Sequence, residues 1–374
     1  MSRQVIFEAS VHYFLEPIAH LLDDESVSEI MVNRFDDVYI ERRGKLEHTD
    51  VRFASDDALL SAIHNIAQWV GREIDEEKPV LDARLPDGSR VHAVIPPSAR
   101  TGIYLTIRKF TREALTLDDL IRFDSLSEQV REFLEISIRL RKNMLISGGT
   151  GTGKTVLLGA ISRAIPEEER IVVIEDTSEL RLIQRHTLYL EAQQADRAGR
   201  GGLNVRQLFT NSLRMRPDRI IVGEVRGGEA LDLIQSMISG HSGSLSTIHA
   251  DTPLDALIRL ETLSLMSDVQ IPVYVARAQV ASAIDLIVQI ARFTEDGSRK
   301  LTRVTEVLGL DDNNQYQTRD LFVSKFRGKT PEGRLLADLA PTGQRPSFSQ
   351  EPYEQGLDKM IHLTEGVWEK AQEV

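Results

Sequence analysis

Runs of apolar positions, and the points where their period changes, divide the chain into two regions. EIMVN (29–33), DVYIER (37–42) and LEHTDVRF (46–53) read as short strands, with Arg43-Gly44 at a turn. Helical spacing follows, with Leu59, Ala62, Ile63, Ile66, Ala67 and Val70 on one face between a capping Ser55 and Gly71. VLDARL and RVHAVI then flank Pro86-Asp87-Gly88-Ser89, a hairpin signal, and GIYLTIRKF adds a strand. These elements predict an antiparallel α+β domain over residues 1–110. Residues 111–126 are charged, contain two helix-start signals and lack strand alternation, so the connection between domains is expected there.

From Glu128 the rhythm changes. A helix to Leu140 leads into strand NMLIS (143–147). RIVVIED (170–176), RIIVGEV (219–225) and GSLSTIHA (243–250) are β-rich runs without two-faced alternation, as in a parallel sheet covered on both sides. Helical stretches at 155–165, 204–216 and 227–239 lie between them. A helix over 253–266 has Thr252 as cap and Pro253 at its first position. DLIVQIARF and KLTRVTEVLGL around Asp296-Gly297-Ser298 read as a hairpin closing the sheet. The pattern predicts a doubly wound, mostly parallel α/β nucleotide domain over 127–327. In the tail, 328–374, only 351–372 looks helical; a GKT at 328–330 lacks a preceding strand and reads as loop.

The chemistry centres on Gly148-Gly149-Thr150-Gly151-Thr152-Gly153-Lys154-Thr155, between a predicted strand and a predicted helix. The constrained positions of this pattern recur by chance in only about 1% of chains this long. Glycines let successive backbone N–H groups converge on phosphate oxygens, and the helix N-terminus adds partial positive charge. Lys154 is positioned to reach the β and γ phosphates of ATP, and the Thr155 hydroxyl to ligate Mg²⁺.

Acidic strand ends refine this picture. Glu224 ends an apolar strand, where it can bind the metal's water shell, polarise an attacking water or simply cap the next helix. Glu175 and Asp176 end another strand, with Glu179 just beyond. His249 ends a third, either as a structural histidine or as a γ-phosphate sensor. Arg214, Arg216 and Arg219 approach the Glu224 strand, while Arg90 and Arg108 lie in the first domain; each alone reads as a surface charge.

Composition narrows the class. At 374 residues the chain holds two or three domains, and a net charge of −12 argues against a general nucleic-acid coat or an electrostatic membrane binder. Having no cysteine, it carries no disulfide and no thiolate metal site. Without a membrane-length apolar run or a signal-peptide pattern, it reads as cytosolic.

In order, GGTGTGKT, IEDTSEL, RMRPDRIIVGEVRGGEALDLIQ and GHSGSLSTIHA resemble the motifs of type II/type IV secretion-superfamily traffic ATPases. With SVSEIMVNRFDDVYIERRGKL and LDARLPDGSRVHAVIPP, the chain is most similar to the CpaF group, motors of tight-adherence (Tad) pili. The resemblance spans about residues 15–325. It implies a RecA-like P-loop ATPase domain behind a smaller α+β N-terminal domain, assembled as a Mg-dependent homohexamer. The ring would sit peripherally at the inner face of the cytoplasmic membrane, on an inner-membrane platform protein, with no direct nucleic acid. By position, Glu224 matches the catalytic Walker B glutamate, Glu175 and Asp176 the aspartate box supporting metal and water, and His249 the histidine box. Arg90, Arg108 and Arg214 match phosphate-approaching arginines; Thr155, Asp176 and Glu224 are the expected metal-side residues. Many relatives carry a longer N-terminal extension, and a zinc requirement is not expected. A conjugation-type ATPase shares nearly every motif and is the alternative; a non-hydrolysing scaffold and a small-molecule kinase are more remote.

Overall fold

The computed structural model describes residues 10, 13–42, 44–109, 115–193, 200–331 and 333–370. It divides into two compact units that meet in sequence near residues 113 and 114.

The first unit is built on helix α1 (Glu16–Asp23), strands β1 (Val27–Arg34), β2 (Asp37–Arg42) and β3 (Lys45–Thr49), helix α2 (Asp56–Trp69), and strands β4 (Val80–Arg84), β5 (Arg90–Val94) and β6 (Tyr104–Arg108). Its six strands form one antiparallel sheet in the order β3-β2-β1-β6-β5-β4. Ser55 caps α2 by accepting from the Ala58 N–H at 3.2 Å. The apolar stripe of α2 (Leu59, Ala62, Ile63, Ile66) shares a core with Ile18 and Leu21 of α1 and with Ile30, Val38, Ile40, Leu105 and Ile107 of the sheet.

The second unit begins with helices α3 (Leu117–Arg122) and α4 (Glu128–Arg139). It continues through β7 (Met144–Ser147), α5 (Lys154–Ser162), β8 (Ile171–Glu175), β9 (Thr187–Glu191), α6 (Val205–Ser212), β10 (Arg219–Val222), α7 (Glu229–Ile238) and β11 (Leu245–Ile248). Helices α8 (Pro253–Leu265) and α9 (Val273–Ala283) precede strands β12 (Leu286–Arg292), β13 (Arg299–Leu310), β14 (Tyr316–Lys329) and β15 (Leu335–Pro341); a short helix α10 (Glu351–Glu354) follows. The nine strands run in the order β15-β14-β13-β12-β7-β11-β10-β8-β9. Neighbours from β12 to β9 are parallel, and β12 to β15 form an antiparallel meander. The central strands are buried on both faces, which explains their unbroken apolar runs. Met144 and Ile146 point into a core with α4 and α5, and Leu145 into the opposite core with α7 and α8.

Several expectations are corrected. Of the segment expected as a connection over 111–126, residues 111–114 lie outside the described ones, and the rest contains α3. A Thr116–Asp119 capping box starts that helix, and Leu117 and Leu120 join the core of the second unit. Gly328 and Lys329 of the second GKT finish β14 rather than a loop. Of the helix expected over 351–372, residues 351–370 hold only α10 and a 3₁₀ turn, Asp358–Met360, and residues 371 and 372 lie outside the described ones. Beyond it the chain packs by side chains: Trp368 stacks on Phe133 of α4, ring centroids 5.1 Å apart. Glu132 accepts from the backbone N–H groups of His362, Leu363 and Thr364 and from the Thr364 hydroxyl. The carboxylate thus pairs three backbone N–H groups that would otherwise need helical partners. Strand β9 and helix α9 carry no motif, and the linear pattern does not announce them.

Candidate active site

The site is assembled at the C-terminal ends of the parallel strands, where loops are free to approach a ligand. Residues Gly148–Gly153 connect β7 to α5. Gly151 and Gly153 adopt left-handed backbone angles, φ 71° and 93°, which side-chain-bearing residues rarely take. Gly148 is required for a different reason: a Cβ there would lie 2.4 Å from the Ile290 carbonyl oxygen of β12. The Thr152 hydroxyl donates to the Gly149 carbonyl at 2.9 Å, closing the loop on itself. Gly153 precedes α5 as an N-cap without a side chain, which leaves the helix's first N–H groups open to an anion.

Lys154 is buried, and its ammonium donates to the Gly148 and Gly149 carbonyls at 3.1 and 3.0 Å. It also lies 3.3 Å from Nδ1 of His249, just past β11. The other ring nitrogen, Nε2, is 2.8 Å from Oε1 of Glu224, just past β10. Burial and the Lys154 charge together outweigh the attraction of Glu224 and hold the His249 pKa below its ordinary value. The neutral ring therefore has one donor nitrogen. The carboxylate needs a donor and the ammonium an acceptor, so the partners assign the proton to Nε2.

Glu224 is clamped from its second oxygen as well: Arg226 donates to Oε2 at 2.8 Å. Burial alone would raise the Glu224 pKa, but the Arg226 hydrogen bond and charge, with His249 and Lys154, bring it below the ordinary carboxylate range. Arg226 also reaches Asp176 past β8, at 3.5 Å. Glu229 at the start of α7 accepts from the Arg226 and Gly227 N–H groups at 2.7 and 2.8 Å, fixing the backbone from which the guanidinium extends. A continuous polar chain thus runs Lys154, His249, Glu224, Arg226, Asp176 across four strand ends. Glu175 sits beneath it, buried against Gly223, where a Cβ would come within 2.8 Å of the Glu175 Cγ. Burial pushes its carboxyl up to about 6, opposed by the N–H groups of Glu179 and Leu180, which donate to Oε1.

The structure thus gathers Gly148 to Thr155, Glu175, Asp176, Glu224 and His249 at one end of one sheet. It does not bring Arg214 there. That residue lies in the 3₁₀ turn Leu213–Met215 ahead of β10, at the opposite end of the strand from Glu224. Arg219 is wholly buried, with Glu169 pairing at 2.5 Å. Arg90 and Arg108 belong to the first unit, where strand register sets them side by side with Arg84 next in line. Sequence reasoning missed Arg226, although it follows Glu224 by two positions. It also missed Gln289, which donates to the Ala250 and Asp251 carbonyls behind His249, and Arg299, which donates to the Gly151 carbonyl. The last two lie on the meander and carry no local signal.

Residues 14–330 match the family described as Type II/IV secretion system protein. The type IV secretion system protein PtlH of Bordetella pertussis is 35% identical over 328 residues, covering 80% of this chain and 95% of PtlH. The conjugal transfer protein TrbB of Rhizobium radiobacter is 36% identical over 305 residues, 79% of this chain and 88% of TrbB. Among solved structures, the Legionella pneumophila ATPase DotB superposes with a TM-score of 0.56 at 20% identity, over 81% of this chain and 82% of DotB, a likeness of fold. With its phosphate loop, acidic strand ends and histidine in one cluster, the chain belongs to the Type II/IV secretion system protein family and is an ATPase of it.

Proposed function

We propose that the chain is the ATP-hydrolysing motor of a type IV secretion or conjugation-type machine, acting as a Mg-dependent homohexamer at the inner face of the cytoplasmic membrane. The observation that carries the hydrolytic reading is the Lys154–His249–Glu224 chain. It couples the lysine that would hold the γ-phosphate to a carboxylate placed to orient water, so the charge of the phosphate is felt at the base.

Magnesium fits the donor chemistry. Thr155, Asp176 and Glu224 offer only oxygen, the ligand type a hard cation takes, and such sites use one or two protein oxygens with the substrate phosphates completing the shell. Among the described residues no cluster of three or more His, Cys, Asp or Glu forms a metal cage, in keeping with a metal carried in with the nucleotide. When bound, it would neutralise developing charge on the phosphates.

Among the described residues no helix is long and apolar enough to cross a membrane, so attachment to an envelope machine would run through an inner-membrane partner protein. The names of PtlH and TrbB favour secretion or conjugation over the tight-adherence pilus reading. Arg90 and Arg108, neighbours on one sheet, are the proposed phosphate-approaching arginines of the first unit. The test is Mg-dependent phosphate release by the assembled protein. Lys154→Ala is expected to lose nucleotide binding, and Glu224→Gln to bind while turnover falls about a hundredfold or more. Nucleotide binding by the intact ring without turnover would sink the motor reading in favour of a scaffold.

A further inference from the structure

The β12–β13 hairpin reaches the phosphate loop from the antiparallel part of the sheet. Arg299, the first residue of β13, donates from Nε to the Gly151 carbonyl at 2.9 Å. Its Cδ lies 3.5 Å from where a Cβ on Gly153 would be, so the stem runs along the loop that its head holds. Arg292, paired with Arg299 across the hairpin, is the second guanidinium here: its Nη1 lies 3.4 Å from a Cβ built on Gly151. The carbonyl that Arg299 binds belongs to the glycine whose left-handed turn gives the loop its curvature.

The hairpin is braced by the C-terminal part of the chain. Asp296 at its tip accepts from the Ser298 N–H through Oδ1 at 2.9 Å and from the Leu335 N–H of β15 through Oδ2 at 2.8 Å. Phe293 meets Phe326 of β14 edge to face, with centroids 5.0 Å apart. At its base, Lys300 binds Asp124, and the Leu301 N–H donates to the Ser125 carbonyl at 2.8 Å. β15 begins just beyond the residues matched by the family.

We propose that Arg299 is a positioning residue for the nucleotide phosphates, and that the C-terminal strand β15 holds it in place through Asp296. This rests on reading the Gly148–Thr155 loop as a nucleotide site and names what fixes its shape. A preorganised loop presents its N–H groups to the phosphates without first having to order them. Losing the brace is therefore expected to weaken nucleotide binding more than it slows the bound complex, whereas a residue acting on the reacting atoms would lower kcat.

The experiment is a titration of the full chain with Mg·ATP, followed by steady-state turnover and a thermal melt of each variant. Arg299→Met keeps the apolar stem and removes the donor. It is expected to raise Kd and KM on the order of tenfold, with kcat within about threefold of wild type. Arg299→Lys, which can still donate to the Gly151 carbonyl, is expected to recover most of that loss. Asp296→Ala should shift Kd in the same direction, and combined with Arg299→Met it should add little, because both act through one contact.

Unchanged Kd in a folded Arg299→Met would overturn the proposal, as would a lysine variant as weak as methionine or fully additive effects of the two sites. If Arg299→Met melts early, Asp296→Ala and Arg299→Lys carry the same decision: wild-type affinity in Asp296→Ala removes the brace from β15. Failure of the wild-type protein to bind Mg·ATP would instead defeat the nucleotide reading itself.

Discussion

Replacing Glu175 by glutamine is expected to stabilise the second unit at alkaline pH while lowering turnover. Glu175 is 4% exposed, at the end of β8. Burial lifts its pKa from the ordinary 4.5 to about 6, against two backbone N–H groups that favour the ionised form. An acid that is harder to ionise in the folded chain than in the unfolded one has no effect while both states are protonated, below about pH 4.5. It destabilises fully once both are ionised, above about pH 6. At about 1.4 kcal/mol per pH unit, the interval is worth on the order of 2 kcal/mol. Glutamine removes the charge and keeps Oε1, the oxygen to which both Glu179 and Leu180 donate. Urea unfolding at pH 8 should therefore find Glu175→Gln more stable by roughly 1–2 kcal/mol, with the gain largely gone at pH 4. Phosphate release should fall in parallel, the usual trade where a site holds a buried charge for its chemistry. A variant no more stable than wild type at pH 8, or equally stabilised at both pH values, would refute desolvation as the cause.

Two further outcomes follow from packing. Trp368→Ala should cost about 3–5 kcal/mol by emptying the aromatic cluster with Phe133 and Phe348. Glu132→Ala, which strands the N–H groups of His362, Leu363 and Thr364, should cost about 3 kcal/mol in the same denaturant assay. Burial pushes the Glu132 carboxyl up, but these bonds outweigh it and lower its pKa, so its contribution is complete above the ordinary carboxylate range and fades as pH falls through the lowered value. In the phosphate loop, Gly148→Ala should weaken Mg·ATP binding at least about tenfold because the new Cβ meets backbone. Gly149→Ala, whose Cβ meets nothing nearer than 3.8 Å, should change it by less than about threefold, as read by the same titration.

What the sequence discloses, and what it hides, follows from how far apart the cooperating residues lie along the chain. Strand β7, the glycine loop and α5 form one contiguous device, so period and glycine spacing define it completely. Glu224, Glu175 and His249 are legible because buried parallel strands read as apolar runs and a polar residue at such a run's end stands out. The C-terminal segment misleads for the opposite reason. Its apolar and polar residues, Phe348, Thr364, Val367 and Trp368, follow the contours of α4 and the sheet rather than a period of their own. Over 351–370 tertiary contacts override the helical pattern.

The arginines show the limit of linear reasoning most sharply. Arg214 stands close in sequence to the strand that ends at Glu224, yet a strand has two ends. The four residues of β10 put about 13 Å of chain between them, so Arg214 cannot join the cluster of its own chain. Arg299 is far from the loop in sequence and touches it, because β12 pairs in parallel with β7 and the hairpin folds back at the loop's end of the sheet. Register, rather than proximity to a motif, decides which cations reach the glycine loop.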